Sequence, residues 1–100
     1  MKQTIPGIDD SYSLNILGLF KSLPPSTQII LFGSRAKGTY KEGSDIDLCL
    51  KDSQLKVEDL FAYSEKYYSL NLPWKLDIVI YELIQEPALK EHIDRIGKII

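Results

Sequence analysis

The chain reads as a small α/β protein of the α+β kind, with a mixed β-sheet and helices packed on one face of it. Three observations predict this. Apolar runs of strand length recur at Thr27 to Phe32, Asp45 to Lys51 and Lys75 to Tyr81. Stretches with helical spacing separate or flank them. The resulting order, helix–strand–strand–helix–strand–helix and a final short strand, suits one sheet with helices covering its apolar face.

Each element has a local reason. Residues 1–8 read as an arm. Asp9, Asp10 or Ser11 is suited to cap a helix that ends before Pro24, with Leu14, Leu17, Phe20 and Leu23 on its buried stripe. Thr27 to Phe32 is a short buried strand. Residues 33–44, GSRAKGTYKEGS, form a Gly-rich polar loop with room for one helical turn. In the second strand Ile46, Leu48 and Leu50 face one way, and Asp45, Asp47 and Cys49 the other. Lys56 to Leu70 is a helix with Val57, Leu60, Phe61, Ser64, Tyr67 and Tyr68 near one side. In the third strand Leu76, Ile78 and Ile80 share a face, opposite Asp77 and Val79. Pro87 suits the first turn of a last helix ending near Ile96, with Gly97 after it. Lys98-Ile99-Ile100 starts a fourth strand, an edge open to pairing with a partner.

Length and composition bound the function. One hundred residues, 1–100, make a single domain. A net charge of −2 gives the whole chain no attraction for nucleic acid or anionic lipid, so no direct nucleic-acid binding is expected. The one Cys, Cys49, excludes an internal disulfide and a Cys-based zinc site, and fits a reducing compartment. There is no apolar stretch of signal-peptide or membrane-span length, so a cytoplasmic location is expected.

The chemistry concentrates in two places. Asp45 and Asp47 lie two residues apart on one strand, so their carboxylates point the same way, roughly 7 Å apart. Aspartate is disfavoured in strands, and two like charges on one face repel unless a cation sits between them. A hard divalent ion is the natural one. Alone, an Asp-x-Asp reads more often as solubilising charge. Asp77 on a later strand, and Gly33-Ser34 separated from Asp45 by ten residues, change that reading. Gly33 permits close backbone approach, and the Ser34 hydroxyl can bond a phosphate. Arg35 and Lys37 supply positive charge for a leaving pyrophosphate, although a solvated turn explains them equally. The run resembles a Walker A loop but fails as one, because Thr39 follows the second Gly where Lys is required.

Other residues carry less. His92 lies among Lys90, Glu91, Asp94 and Arg95 and reads as a solvated helix residue, with no second His to make it a metal ligand. Cys49 reads as packing. Tyr63, Tyr67, Tyr68 and Trp74 read as core and helix-end packing. Tyr40 fits stacking on a base and fits an ordinary loop residue.

Phe32-Gly33-Ser34-Arg35-Ala36-Lys37-Gly38, then Ser44-Asp45-Ile46-Asp47-Leu48, then Lys75-Leu76-Asp77-Ile78-Val79, resembles the minimal nucleotidyltransferases of the DNA polymerase beta superfamily. The resemblance runs from the first helix to the last. It implies the nucleotidyltransferase fold, with Asp45, Asp47 and Asp77 as the catalytic and metal-binding carboxylates. It implies Gly33, Ser34, Arg35 and Lys37 at the triphosphate, two Mg²⁺ ions, and ATP as substrate. Stand-alone minimal members commonly pair with an all-helical HEPN protein. They resemble antitoxins that transfer AMP to a tyrosine hydroxyl of that toxin, within a hetero-oligomer. Two alternatives stand beside this reading: transfer to a small-molecule hydroxyl, and a binding module that masks its partner without catalysis.

Overall fold

The computed structural model describes residues 4–100. Helix α1 spans Asp10–Gly18, strand β1 Gln28–Phe32, the short helix α2 Gly33–Lys37, and β2 Ile46–Lys51. Helix α3 spans Val57–Tyr68, β3 Leu76–Ile80, α4 Pro87–Ile96 and β4 Lys98–Ile99, with a 3₁₀ turn at Tyr81–Leu83 between β3 and α4. The four strands form one mixed sheet in the order β3-β2-β1-β4. Strand β1 is antiparallel to both β2 and β4, whereas β2 and β3 run parallel. A parallel pair requires a crossover, and α3 supplies it.

The register follows from alternation. Leu31, Ile46, Leu48, Leu50 and Leu76 fill one core beneath α1 and α3, with Ile16 of α1, Tyr67 of α3 and Phe20 from the turn after α1. Ile30, Phe32 and Cys49 point to the opposite face and form a second cluster with Ile93 of α4. The expectation of helices on a single face therefore needs correcting: α4 covers part of the second. Ile30, Phe32 and Cys49 are apolar and would otherwise face water. Cys49 is buried, and desolvation pushes its thiol up to about 12.

Three further expectations change. Of the arm expected over residues 1–8, residues 1–3 lie outside the described residues. Ile5 and Ile8 are buried in the first core instead of lying free. The reason is polar as well as apolar: the Ile5 N–H donates to Ser13 Oγ at 3.1 Å, and that hydroxyl donates to Ile8 O. This pair of bonds turns α1 so that Ser13 and Ile16 are buried and Leu14 stays 46% exposed. On α3, Tyr67 is buried and donates to Trp74 O at 2.7 Å. Phe61, expected near the same side of the helix as Tyr67, is 75% exposed. The last strand, β4, pairs with β1, Ile30 opposite Ile99 with the Ile100 N–H donating to Ile29 O, and stands at one edge of the sheet.

Among the described residues, no helix is long and apolar enough to cross a membrane.

Candidate active site

The site lies where β1 ends and β2 and β3 begin. Asp47 occupies the second position of β2, opposite Phe32 on β1 and in register with Asp77 on β3. Parallel pairing brings the two carboxylates together from residues thirty positions apart. Asp45 sits just before β2 and is exposed, as is Asp77; Asp47 is half-buried. Burial raises the Asp47 carboxyl above its ordinary value, and the nearby Asp77 and Asp45 charges raise it further, against smaller opposing effects of His92 and Arg35. Like charges thus crowd one half-buried carboxylate.

Gly33 is the tightest element of the site. Its φ of +75° lies in the left-handed region. A Cβ built there would collide with Asp47 Oδ2. Both facts require glycine, because the chain leaves β1 and enters α2 directly over the carboxylate. Gly38, at φ +84°, closes α2 with its N–H on Ser34 O at 3.0 Å. The turn that fits inside the polar loop is thus α2, and it presents half-buried Ser34 beside Asp47's neighbour Gly33. Lys37 is exposed at its end.

Arg35 differs from its expected place. Its side chain is 1% exposed, and its guanidinium donates to Pro6 O at 2.7 Å and Ser44 O at 2.8 Å. Tyr40 lies under it, 5.2 Å from the ring centre. Its Nε is buried without a hydrogen-bond partner. Burial lowers the guanidinium pKa, against the raising influence of Tyr40, Tyr67, Asp45 and Asp47. These contacts tie the N-terminal segment to the loop that delivers Asp45, so Arg35 braces the site from behind. Tyr40 is accordingly engaged with Arg35.

His92 is the residue that sequence reading missed. It is half-buried on α4, and its Nε2 accepts the Gly33 N–H at 3.3 Å. Its ring meets Phe32 edge-on at 6.1 Å. The available signal was weak: His92 precedes Ile93, the buried residue of α4, but nothing in the sequence says over which strands α4 lies.

Among the described residues, no three His, Cys, Asp or Glu side chains form a ready-made metal cage. The donor set nevertheless fits Mg²⁺. That ion is held by one or two carboxylates together with substrate phosphates, and Asp47 and Asp77 stand in register with Asp45 beside them.

Residues 15–99 match the family model of the nucleotidyltransferase domain. The chain belongs to that family. No curated protein matches it. Among solved structures, it is similar to the crystal structure of a toxin–antitoxin with AMP-PNP, at 26% identity and a TM-score of 0.67, covering 84% of this chain and 68% of that one. It is also similar to a mutant of the toxin–antitoxin MntA–HpeT, at 23% identity and a TM-score of 0.68, covering 93% of this chain and 72% of that one. A second MntA–HpeT mutant, at 21% identity and a TM-score of 0.65, covers 85% and 68%. The last two likenesses speak for the fold alone. The nucleotidyltransferase fold and its four-stranded mixed sheet thus agree with the expectation from sequence.

Proposed function

We propose that this nucleotidyltransferase moves AMP from ATP to a tyrosine hydroxyl of a helical HEPN-type toxin and so acts as its antitoxin. The observation that carries the reading is the close seating of Gly33 on Asp47, with Asp77 in register. It puts the turn that this reading assigns to phosphate beside paired carboxylates. The similarity to a toxin–antitoxin with AMP-PNP supports both the adenine nucleotide and the toxin partner.

In this reading Asp45, Asp47 and Asp77 would hold Mg²⁺, which would supply charge neutralisation for the triphosphate and a lowered pKa for the acceptor hydroxyl. Ser34 donates to a phosphate oxygen, and exposed Lys37 faces the departing pyrophosphate. Asp77, the more exposed of the registered pair, takes the proton of the acceptor hydroxyl. Arg35 keeps Ser44, and with it Asp45, in place.

The test is to incubate the chain with ATP, Mg²⁺ and the product of the neighbouring gene, then look for an AMP adduct by mass spectrometry. An adduct on a tyrosine, lost with Asp47→Asn, is the expected result. No adduct, with toxin neutralisation unchanged by Asp47→Asn, would select the non-catalytic binding module instead. An adduct on a small molecule alone would move the acceptor out of the toxin.

A further inference from the structure

We infer that His92 is a positioning residue, which fixes the Gly33 peptide over Asp47 and so sets the geometry of transfer; the kinetic part of this rests on the function proposed above. Gly33 is the first residue of α2, so its N–H has no acceptor within the helix. Its Cα side is occupied by the Asp47 carboxylate, and its φ of +75° is a conformation that glycine leaves easily. Something outside α2 must therefore hold the peptide. His92 Nε2 does so at 3.3 Å, and an accepting Nε2 leaves the ring proton on Nδ1.

The other polar residues on this part of α4 are engaged elsewhere. Asp94 accepts from Tyr81 at 2.8 Å, and Glu91 pairs with Arg95 at 2.8 Å. Docking of the helix itself falls to Ile93, which is buried against Ile30, Phe32 and Cys49. His92 adds little to that apolar contact beyond its edge against Phe32. What it adds is one acceptor, aimed from a rigid helix at the residue seated on Asp47. A loop held from a packed element keeps a site within the tolerance that catalysis demands.

Two substitutions separate the acceptor from the ring. His92→Phe keeps the aromatic edge and removes the acceptor. His92→Gln places an amide oxygen at about the reach of Nε2. In the nucleotide-free protein, NMR hydrogen exchange of the Gly33 amide should quicken about tenfold in His92→Phe, in line with the usual net strength of one hydrogen bond. It should stay near wild type in His92→Gln. With ATP, Mg²⁺ and the acceptor protein, kcat should fall about tenfold in His92→Phe with KM for ATP little changed, and His92→Gln should recover most of it. Equal Gly33 exchange in the two variants overturns the inference, whatever their activities. Exchange that differs while kcat is the same in both overturns it as well, leaving only a structural contact. A wild type that transfers no nucleotide disproves the proposed function, and Gly33 exchange then decides the placement of this peptide by itself.

Discussion

The two ends of the parallel pair β2–β3 are built for different things. At the N-terminal end Asp47 and Asp77 stand in register, polar and open, with Gly33 pressed against one of them. Toward the other end, along β3, lies a groove of about 400 Å³ lined by Val57, Leu60, Ile78, Ile80, Leu83 and Leu89 among others. Its lining is mostly apolar, with Gln85 and Glu86 as its polar side chains. Concavity and chemistry have come apart. A deep pocket is the usual first guess for a site, but it needs polar groups to orient a ligand. A shallow acidic corner suits a ligand that brings its own metal and charge.

The strongest way to break this comparison is Asp47→Asn. Transfer should fall roughly 10³-fold or more, as expected when a carboxylate ligand worth several kcal/mol in the transition state is lost. The fold should not suffer. Asp47's carboxyl is raised above 3.8, so the folded chain holds that proton more tightly than the unfolded chain. The associated stability is fully present below the unfolded value and is lost as pH rises through the folded one. At neutral pH the ionised group therefore opposes folding. Without metal, the Asn variant should melt at or above the wild-type temperature at pH 7, and the advantage should vanish toward pH 3 in a pH series of thermal melts.

Arg35→Leu should show the largest loss of stability, about 2–4 kcal/mol by urea denaturation, because Pro6 O and Ser44 O lose a charged donor in a buried place. Arg35→Lys should restore little, since one ammonium cannot replace two forked donors. Recovery by Lys would mean that charge, and not the fork, secures the loop.

Gly33→Ala comes next. A side chain in the left-handed region costs about 1–3 kcal/mol, and its Cβ also meets Asp47. Stability and transfer should fall together, which circular-dichroism melts and adduct formation can read side by side. Intact transfer would show that the close seating of Gly33 on Asp47 is dispensable.

The smallest effect belongs to the groove. Leu83 is 48% exposed, so Leu83→Asp should change stability by less than about 0.5 kcal/mol and leave nucleotide binding untouched. Weaker ATP binding by isothermal titration calorimetry would rejoin what the comparison separates.

Much of this molecule was legible beforehand. The last helix, Pro87–Ile96, has the expected ends because Pro and Gly punctuate it. The three main strands appear within a residue or so of their predicted bounds, since alternation of Ile, Leu and Asp leaves one register that buries the apolar set. The stripe of α1 was less legible. Leu14 and Ile16 are equally apolar, and only the Ser13 hydroxyl, bonded to Ile5 and Ile8, decides which turns inward. Arg35 and His92 exchanged their expected positions for the same reason. A motif position made the arginine look like a ligand contact, and charged neighbours made the histidine look solvated.

By itself the sequence determined the strands, the three aspartates and the Gly-Ser turn upstream of them, because backbone preference and side-chain alternation are local properties. Only the tertiary structure decided that Asp77 stands beside Asp47, that Arg35 braces the loop from within, and that His92 reaches Gly33 across fifty-nine residues. Those are partnerships between distant parts of the chain. They are set by which faces pack together and by which buried donors and acceptors must find each other.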